Sequence, residues 1–363
     1  MKKVLFIGSF KRPKEGAFGG VYFASTTLKS ALEAKDIEIV KLDTTLKSIK
    51  ETSVFKRFPS LIIRNITFLW KIMMNRKTKS LIVFLSAGNS YLDKLPSILL
   101  ARVLQKKIVA FPVSGFIIRD YENWVYKIFI RWVMKLSDIV VCQSDFWKDF
   151  FISHSVSASK LEVIENWVMD ATIEKSNDIS FQTYPPNITE VFKLIFVSRI
   201  EEAKGVNDII ELAKSLKDIF SLEINIYGDG SYVNKLQMDI ERYHLNNCVK
   251  ICGWLDHRNM QEVINKHHVA LFTSRFEGYP NALLDYIFSK IPIVATNIPT
   301  VKAVGRDLIS YYEPGNIVQF AEKIKWCHDN YATASKMAEK LIVEKGIKNN
   351  LQTQTQIVIN LLH

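Results

Sequence analysis

The sequence predicts an α/β protein made of two doubly wound, Rossmann-like domains with parallel sheets. Three observations lead there. Short apolar runs alternate with segments of helical periodicity; the alternation stops at a polar, proline-containing stretch and then restarts; and 363 residues, 48% hydrophobic and 23% charged, are enough for two cores. Parallel strands need helical crossovers, so two βαβα blocks imply two such sheets.

The first block supplies KVLFIGS, IEIVKL, SLIVFLS, KIVAFPV, DIVVCQS and LEVIENW as strands, with GVYFASTTLKSALEAK and LDKLPSILLARVLQKK among the helices between them. The opening MKKVLFIGSF imitates a secretory signal. Lys11, Arg12 and Lys14 end the run at once, however, and no small-x-small cleavage site follows, so a first buried strand is expected. After Trp167 comes VMDATIEKSNDISFQTYPPNITE, polar and carrying Pro185-Pro186, which reads as a linker. FKLIFVS, LEINIYG, CVKICGW, VALFTS and IPIVAT then restart the strands. The expected organisation is a domain over 1–168, a linker over 169–190, a second domain over 191–345, and a C-terminal helix over 346–363 that packs back on the first domain.

The net charge of +11 is uneven: residues 1–168 hold 27 Lys+Arg against 14 Asp+Glu, and the remainder 21 against 23. Between Lys47 and Lys79, nine basic residues face only Glu51 and are interleaved with Phe55, Phe58, Leu61, Ile62, Ile63, Phe68, Trp70, Met73 and Met74. Such a stretch suits an anionic membrane surface, the alternative being a core helix with a solvated basic face. Basic patches bind any polyanion, but no nucleic-acid motif is present. No run of about 18 uncharged apolar residues occurs, so no spanning helix is expected. Cys142, Cys248, Cys252 and Cys327 form neither a disulfide framework nor a zinc pattern, and the seven histidines lack metal spacing. Reduced cysteines point to a cytoplasmic protein.

In doubly wound folds ligands sit at the carboxyl ends of strands, which directs attention to the cleft between the domains. Three stretches of the second block lie at strand ends. VSRIEEAKG places Arg199 after a strand and Lys204-Gly205 before a helix, two cations that can converge on one anion. YGDG forms a glycine turn at residues 228–230. RFEGYPNALLD sets Pro280 at a first helical position, with Asn281 and Ala282 in the first turn, where free amides and the helix dipole favour a phosphate. Gly278 permits close approach of a ligand to the backbone, and Glu277 and Asp285 can accept from hydroxyls at two points of it. A diphosphate between two polyhydroxylated groups describes a nucleotide sugar.

These motifs together resemble the retaining GT-B glycosyltransferases of glycosyltransferase family 4 (group 1). Glu277 and Asp285 resemble its E-x7-E element, VSRIEEAKG its G-R-x-x-x-x-K-G segment, YGDG its G-x-G turn, Gly19-Gly20 its glycine-rich loop, and IENWVMD its P-N-G-V-D crossing. The resemblance implies that Arg199 and Lys204 hold the donor diphosphate. It implies that Glu277 contacts the donor sugar, that the backbone of Gly278, Tyr279, Pro280, Asn281 and Ala282 contacts its hydroxyls and phosphates, and that Asp285 contacts the ribose. Gly228 belongs to the same donor set, and Gly19 and Gly20 would close on the diphosphate from the other domain. Asp285 is one methylene shorter than the family's glutamate, Ser114 stands where a histidine is frequent, and Ser198 replaces a glycine. A hydroxyl at Ser114 can still bond a sugar.

The implied activity is transfer of a sugar, with retention, from a nucleotide-diphosphate donor to a glycan or lipid-linked glycan in bacterial surface polysaccharide assembly. A UDP-sugar is favoured over a GDP-sugar, no nucleic acid is involved, and the basic first domain would bind the acceptor at the inner face of the cytoplasmic membrane. Without an Asp-x-Asp, no metal or other cofactor is expected. The alternatives are a non-catalytic nucleotide-sugar-binding partner and a GT-B-fold sugar-nucleotide epimerase.

Overall fold

Every apolar run named above as a strand is one in the computed structural model, which describes residues 2–11, 20–45, 54–169, 172–174, 176, 191–219 and 221–362. The chain forms two units, Met1–Trp167 with Leu351–His363, and Val168–Asn350.

In the first unit, β1 (Lys2–Gly8), β2 (Ile37–Asp43), β3 (Ser80–Leu85), β4 (Lys107–Pro112), β5 (Ile139–Cys142) and β6 (Leu161–Val163) form one parallel sheet, ordered β2-β1-β3-β4-β5-β6. β1 pairs with β2 from Lys2↔Ile37 and with β3 from Val4↔Ser80, so the strand order reverses between β1 and β3. Alternate residues of these strands bury opposite faces. Leu5, Ile7, Leu81, Val83, Ile108 and Val140 pack under the helices Val54–Met74, Asn89–Val103 and Trp124–Leu136. Val4, Phe6, Ile82, Phe84, Val109 and Val141 pack under the helix Gly20–Glu33 and the last helix, Leu351–Leu361, whose Val358 is fully buried. Ser80 Oγ donates to Leu362 O at 2.8 Å, which ties the end of the chain to the start of β3.

The helices Val54–Met74, Asn89–Val103 and Trp124–Leu136 also carry an apolar outer surface. Ile62, Ile63, Ile66, Trp70, Met73 and Met74 are exposed on Val54–Met74, Leu92, Leu99 and Val103 on Asn89–Val103, and Trp124, Ile128 and Trp132 on Trp124–Leu136. Arg64 and Asp93 pair at 2.5 Å between the first two of these helices. The buried Lys106 donates to the carbonyls of Asn75, Arg76 and Thr78 and to Thr78 Oγ1, which pins the segment that follows Val54–Met74 to the start of β4.

In the second unit, β7 (Phe192–Val197), β8 (Leu222–Tyr227), β9 (Val249–Gly253), β10 (Val269–Phe272), β11 (Ile293–Thr296) and β12 (Ser310–Tyr312) form a parallel sheet ordered β12-β11-β10-β7-β8-β9. Counted within the unit, this is the Rossmann order 6-5-4-1-2-3, and the direction of winding reverses between β7 and β10. β7 and β10 pair at Val269↔Leu194 and Ala270↔Ile195.

Among the described residues, Cys142, Cys248 and Cys327 are buried, Cys252 is exposed, and none is in a disulfide. Burial pushes the Cys142 and Cys327 thiols up to about 12, where they carry no thiolate at neutral pH.

Candidate functional site

The reversal between β7 and β10 is where an open α/β sheet leaves a crevice for a ligand. The two loops that border it contain Arg199, Lys204 and Glu277.

After β7 the chain runs through Ser198 and Arg199 into a short 3-10 turn, Glu202–Lys204, and then through Gly205 into the helix Val206–Leu216. Gly205 has φ 69°, and a Cβ there would stand 2.0 Å from Thr273 O, so the residue must be glycine for the second loop to come this close. Thr273 Oγ1 donates to Lys204 O at 2.6 Å, and the amide of Arg275 to Ala203 O at 2.9 Å. Thr296 Oγ1, from the end of β11, donates to Ser274 O at 2.7 Å. So fastened, the loops bring Lys204 Nζ to 2.6 Å from Glu277 Oε1, with the two side chains 16% and 13% exposed.

The Gly-Asp-Gly turn supports this arrangement from the other side. Gly228, at φ 145°, leaves no room for a Cβ against Ser198 O, and Gly230 none against Ile200 O. Ile200 N donates to Asp229 O and Tyr232 N to Ile200 O. These glycines thus let the turn after β8 lie directly against the Arg199 loop.

The structure brings together Lys204 and Glu277 and differs from the sequence reading at three neighbours. The Arg199 guanidinium, half exposed, is paired with Glu201 Oε1 at 2.8 Å. Pro280 is the residue before the helix Asn281–Phe288, not its first member: with φ −79° and ψ 78° it centres a three-residue inverse γ-turn in which Asn281 N donates to Tyr279 O at 2.9 Å. The Asn281 amide is therefore occupied, and Leu283 N donates to Pro280 O. The Tyr279 ring is buried, and its hydroxyl accepts from Asn349 Nδ2 at 2.9 Å. Gly278, Asn281, Ala282 and Asp285 are half-buried.

In the first unit, Ser114 follows β4, and its Oγ accepts from Phe116 N at 3.3 Å. Gly20 opens the helix Gly20–Glu33, and Gly19 lies outside the described residues.

Sequence reasoning missed one group. Arg275 reaches Asp208 Oδ1 at 2.6 Å, while Asp208 Oδ2 accepts from Tyr312 OH at 3.2 Å and Gly315 N at 3.3 Å. Burial pushes the Asp208 carboxyl above its usual range, against the opposing pull of Arg275 and these two hydrogen bonds. No local pattern announces contacts between residues 67 to 107 positions apart.

Chemically, an ammonium and a carboxylate face each other over the crevice, each neutralising the other. An entering phosphate oxygen would compete for Lys204, and Glu277 would then be available to hydroxyls. Among the described residues no group of three His, Cys, Asp or Glu is placed to hold a metal ion.

Residues 182–342 match the family model for glycosyl transferases group 1. An uncharacterised glycosyltransferase of Methanocaldococcus jannaschii is 25% identical over 254 residues, 67% of this chain and 61% of that protein. The lipopolysaccharide 1,6-galactosyltransferase of Escherichia coli K12 is 27% identical over 180 residues, 48% of this chain and 47% of that protein. Each match thus spans only part of the relative's length. The crystal structure of Anabaena HepE in complex with UDP-glucose superposes with a TM-score of 0.74 at 14% identity, covering 100% of this chain and 99% of that one. The architecture is therefore that of the GT-B glycosyltransferases, and residues 182–342, which include the Lys204–Glu277 crevice, carry the group 1 glycosyltransferase pattern.

Proposed function

We propose that the chain is a glycosyltransferase that moves a sugar, with retention and without a metal ion, from a nucleotide diphosphate to a glycan or lipid-linked glycan acceptor. The observation that carries this is the Lys204–Glu277 pair at the reversal of a Rossmann-ordered sheet, inside the segment that matches group 1 glycosyltransferases. Lys204 meets the charge that develops on the leaving diphosphate, a contribution of about 3 kcal/mol if it resembles a single oxyanion-hole donor. Arg199 becomes a second cation for it by exchanging Glu201 for a phosphate oxygen. Glu277 accepts from a donor-sugar hydroxyl, and Asp285 is assigned to the ribose. The leaving phosphate oxygen takes the acceptor proton, so positioning and charge stabilisation do the work and no separate general base is required.

A UDP-sugar is the favoured donor, since HepE is described in complex with UDP-glucose. Assembly of bacterial surface polysaccharide is the favoured setting, given the likeness to a lipopolysaccharide galactosyltransferase. The apolar surface on Val54–Met74 and Trp124–Leu136, flanked by Lys71, Lys127, Arg131 and Lys135, would hold the first unit at the inner face of the cytoplasmic membrane. No helix among the described residues is long and apolar enough to cross a membrane.

The test is a thermal-shift panel of UDP, GDP, ADP and their common sugar conjugates on the wild type, Arg199→Ala and Lys204→Ala. A shift with one nucleotide family that is lost in Lys204→Ala supports the reading. No shift with any donor in the wild type sinks it.

A further inference from the structure

The sheet does not fix the distance between Lys204 and Glu277. β7 and β10 are paired at two positions only, and both side chains sit on loops past the carboxyl ends of these strands. Their separation is set by cross-links between the loops, and one of these is unlike the others. Thr273 Oγ1→Lys204 O and Arg275 N→Ala203 O join neighbouring stretches of backbone. The Arg275–Asp208 pair instead anchors the loop that bears Glu277 to the first turn of the helix that follows Lys204.

Asp208, 5% exposed at its side chain, gathers donors from three places: the Arg275 guanidinium, the Tyr312 hydroxyl at the end of β12, and the Gly315 amide beyond it. A Cβ on Gly315 would stand 3.4 Å from the guanidinium, so the segment after β12 lies against the charged group itself. A buried carboxylate with one cationic partner holds that partner far more stringently than a surface pair does, because losing it strands a charge.

We propose that Asp208 and Arg275 are positioning residues that set the spacing of Lys204 and Glu277, and so prepare the crevice for a diphosphate. The inference rests on the reading of this crevice as the donor site. It concerns the phosphate that Lys204 meets, and not the nucleoside.

The test compares wild type, Asp208→Asn, Arg275→Gln and the charge-conserving Arg275→Lys, all in the full chain, by two measurements. Hydrogen exchange without ligand is followed in peptides covering 199–206 and 273–281. Faster exchange in both peptides in Asp208→Asn and Arg275→Gln, with partial restoration in Arg275→Lys, is expected. Unchanged exchange overturns the proposal. Calorimetric titration with UMP, UDP, GMP and GDP is then made on the same proteins. For the base that binds, the diphosphate should weaken at least tenfold in Asp208→Asn and Arg275→Gln while the monophosphate changes less than twofold. Adding Lys204→Ala to Arg275→Gln should cost little more. Equal weakening of mono- and diphosphate would mark a general structural role and refute the proposal. If the wild type binds none of the four probes, the donor reading fails, and the exchange measurement still decides whether the pair fixes the loops. Should Arg275→Gln not fold, Asp208→Asn, which keeps the side chain's size, carries the same comparisons.

Discussion

Replacing Gly205 by alanine tests whether the two loops meet as tightly as described. The residue has φ 69°, where an L side chain costs about 1 kcal/mol, and its Cβ would stand 2.0 Å from the carbonyl oxygen of Thr273. That atom is backbone, so the clash is relieved only by separating the loops. Separation breaks Thr273 Oγ1→Lys204 O and Arg275 N→Ala203 O, at about 1 kcal/mol each. The sum is about 3 kcal/mol, or roughly 6–12 °C for a unit of this size. Gly253 is the internal control: φ is 73°, but nothing lies within 4 Å of its Cβ position. Gly253→Ala should therefore cost only the backbone term, about 1 kcal/mol. Scanning calorimetry on both variants, following the transition of the second unit, gives the comparison. Equal losses would refute the close approach and, with it, the account of how Lys204 reaches Glu277.

Three further outcomes are expected. Lys106→Met strips the donor from three carbonyls and a hydroxyl, and should lower stability by about 3 kcal/mol in urea unfolding; a loss below about 1 kcal/mol would contradict the buried staple. Burial, with a smaller push from Lys193, His267 and His328, lowers His268 to about 4, and its Nδ1 accepts from Lys193 N. The folded pKa lies below the unfolded one near 6.5, so this contribution is complete above about pH 6.5 and is lost as pH falls towards 4, with a slope of at most about 1.4 kcal/mol per pH unit; His268→Phe should flatten that part of the curve, and an unchanged curve would exclude His268 as its source. Trp70→Glu combined with Trp132→Glu should reduce co-sedimentation with phosphatidylglycerol vesicles at least tenfold while leaving nucleotide-induced thermal shifts intact; undiminished sedimentation would remove these helices from the membrane reading.

Much of the fold was legible because buried parallel strands read as uninterrupted apolar runs. SLIVFLS and FKLIFVS became β3 and β7 with little change at their ends. β12 escaped notice: Ser310–Tyr312 is three residues long, too short to show a period. The chemistry-bearing residues were visible as types at strand ends, yet their partners were not. Glu201, two residues from Arg199, pairs with the guanidinium that the sequence assigns to the donor diphosphate, a partner that spacing alone does not announce. Pro280 missed its expected helical position by one residue because a γ-turn with Tyr279 stops the helix from starting there. Asp208 and Arg275 met only through the tertiary fold, and the close approaches that demand glycine at 205, 228 and 230 are likewise long-range facts.

The last helix, Leu351–Leu361, completes a core whose other members lie no later than Trp167 in the chain, Leu362 apart. On the ribosome those two parts are separated by the whole of Val168–Asn350, which at 5–20 residues per second takes on the order of ten to forty seconds to make. Throughout that interval Ala24, Leu28 and Phe111 have no Val358 or Leu362 to cover them. The first unit to be synthesised is thus the last to be finished, and an intact second unit can fold while its predecessor still shows an apolar face to chaperones. Ribosome-stalled chains ending near 345 should be bound by holdases, and chains a full exit tunnel longer than the last helix should be released.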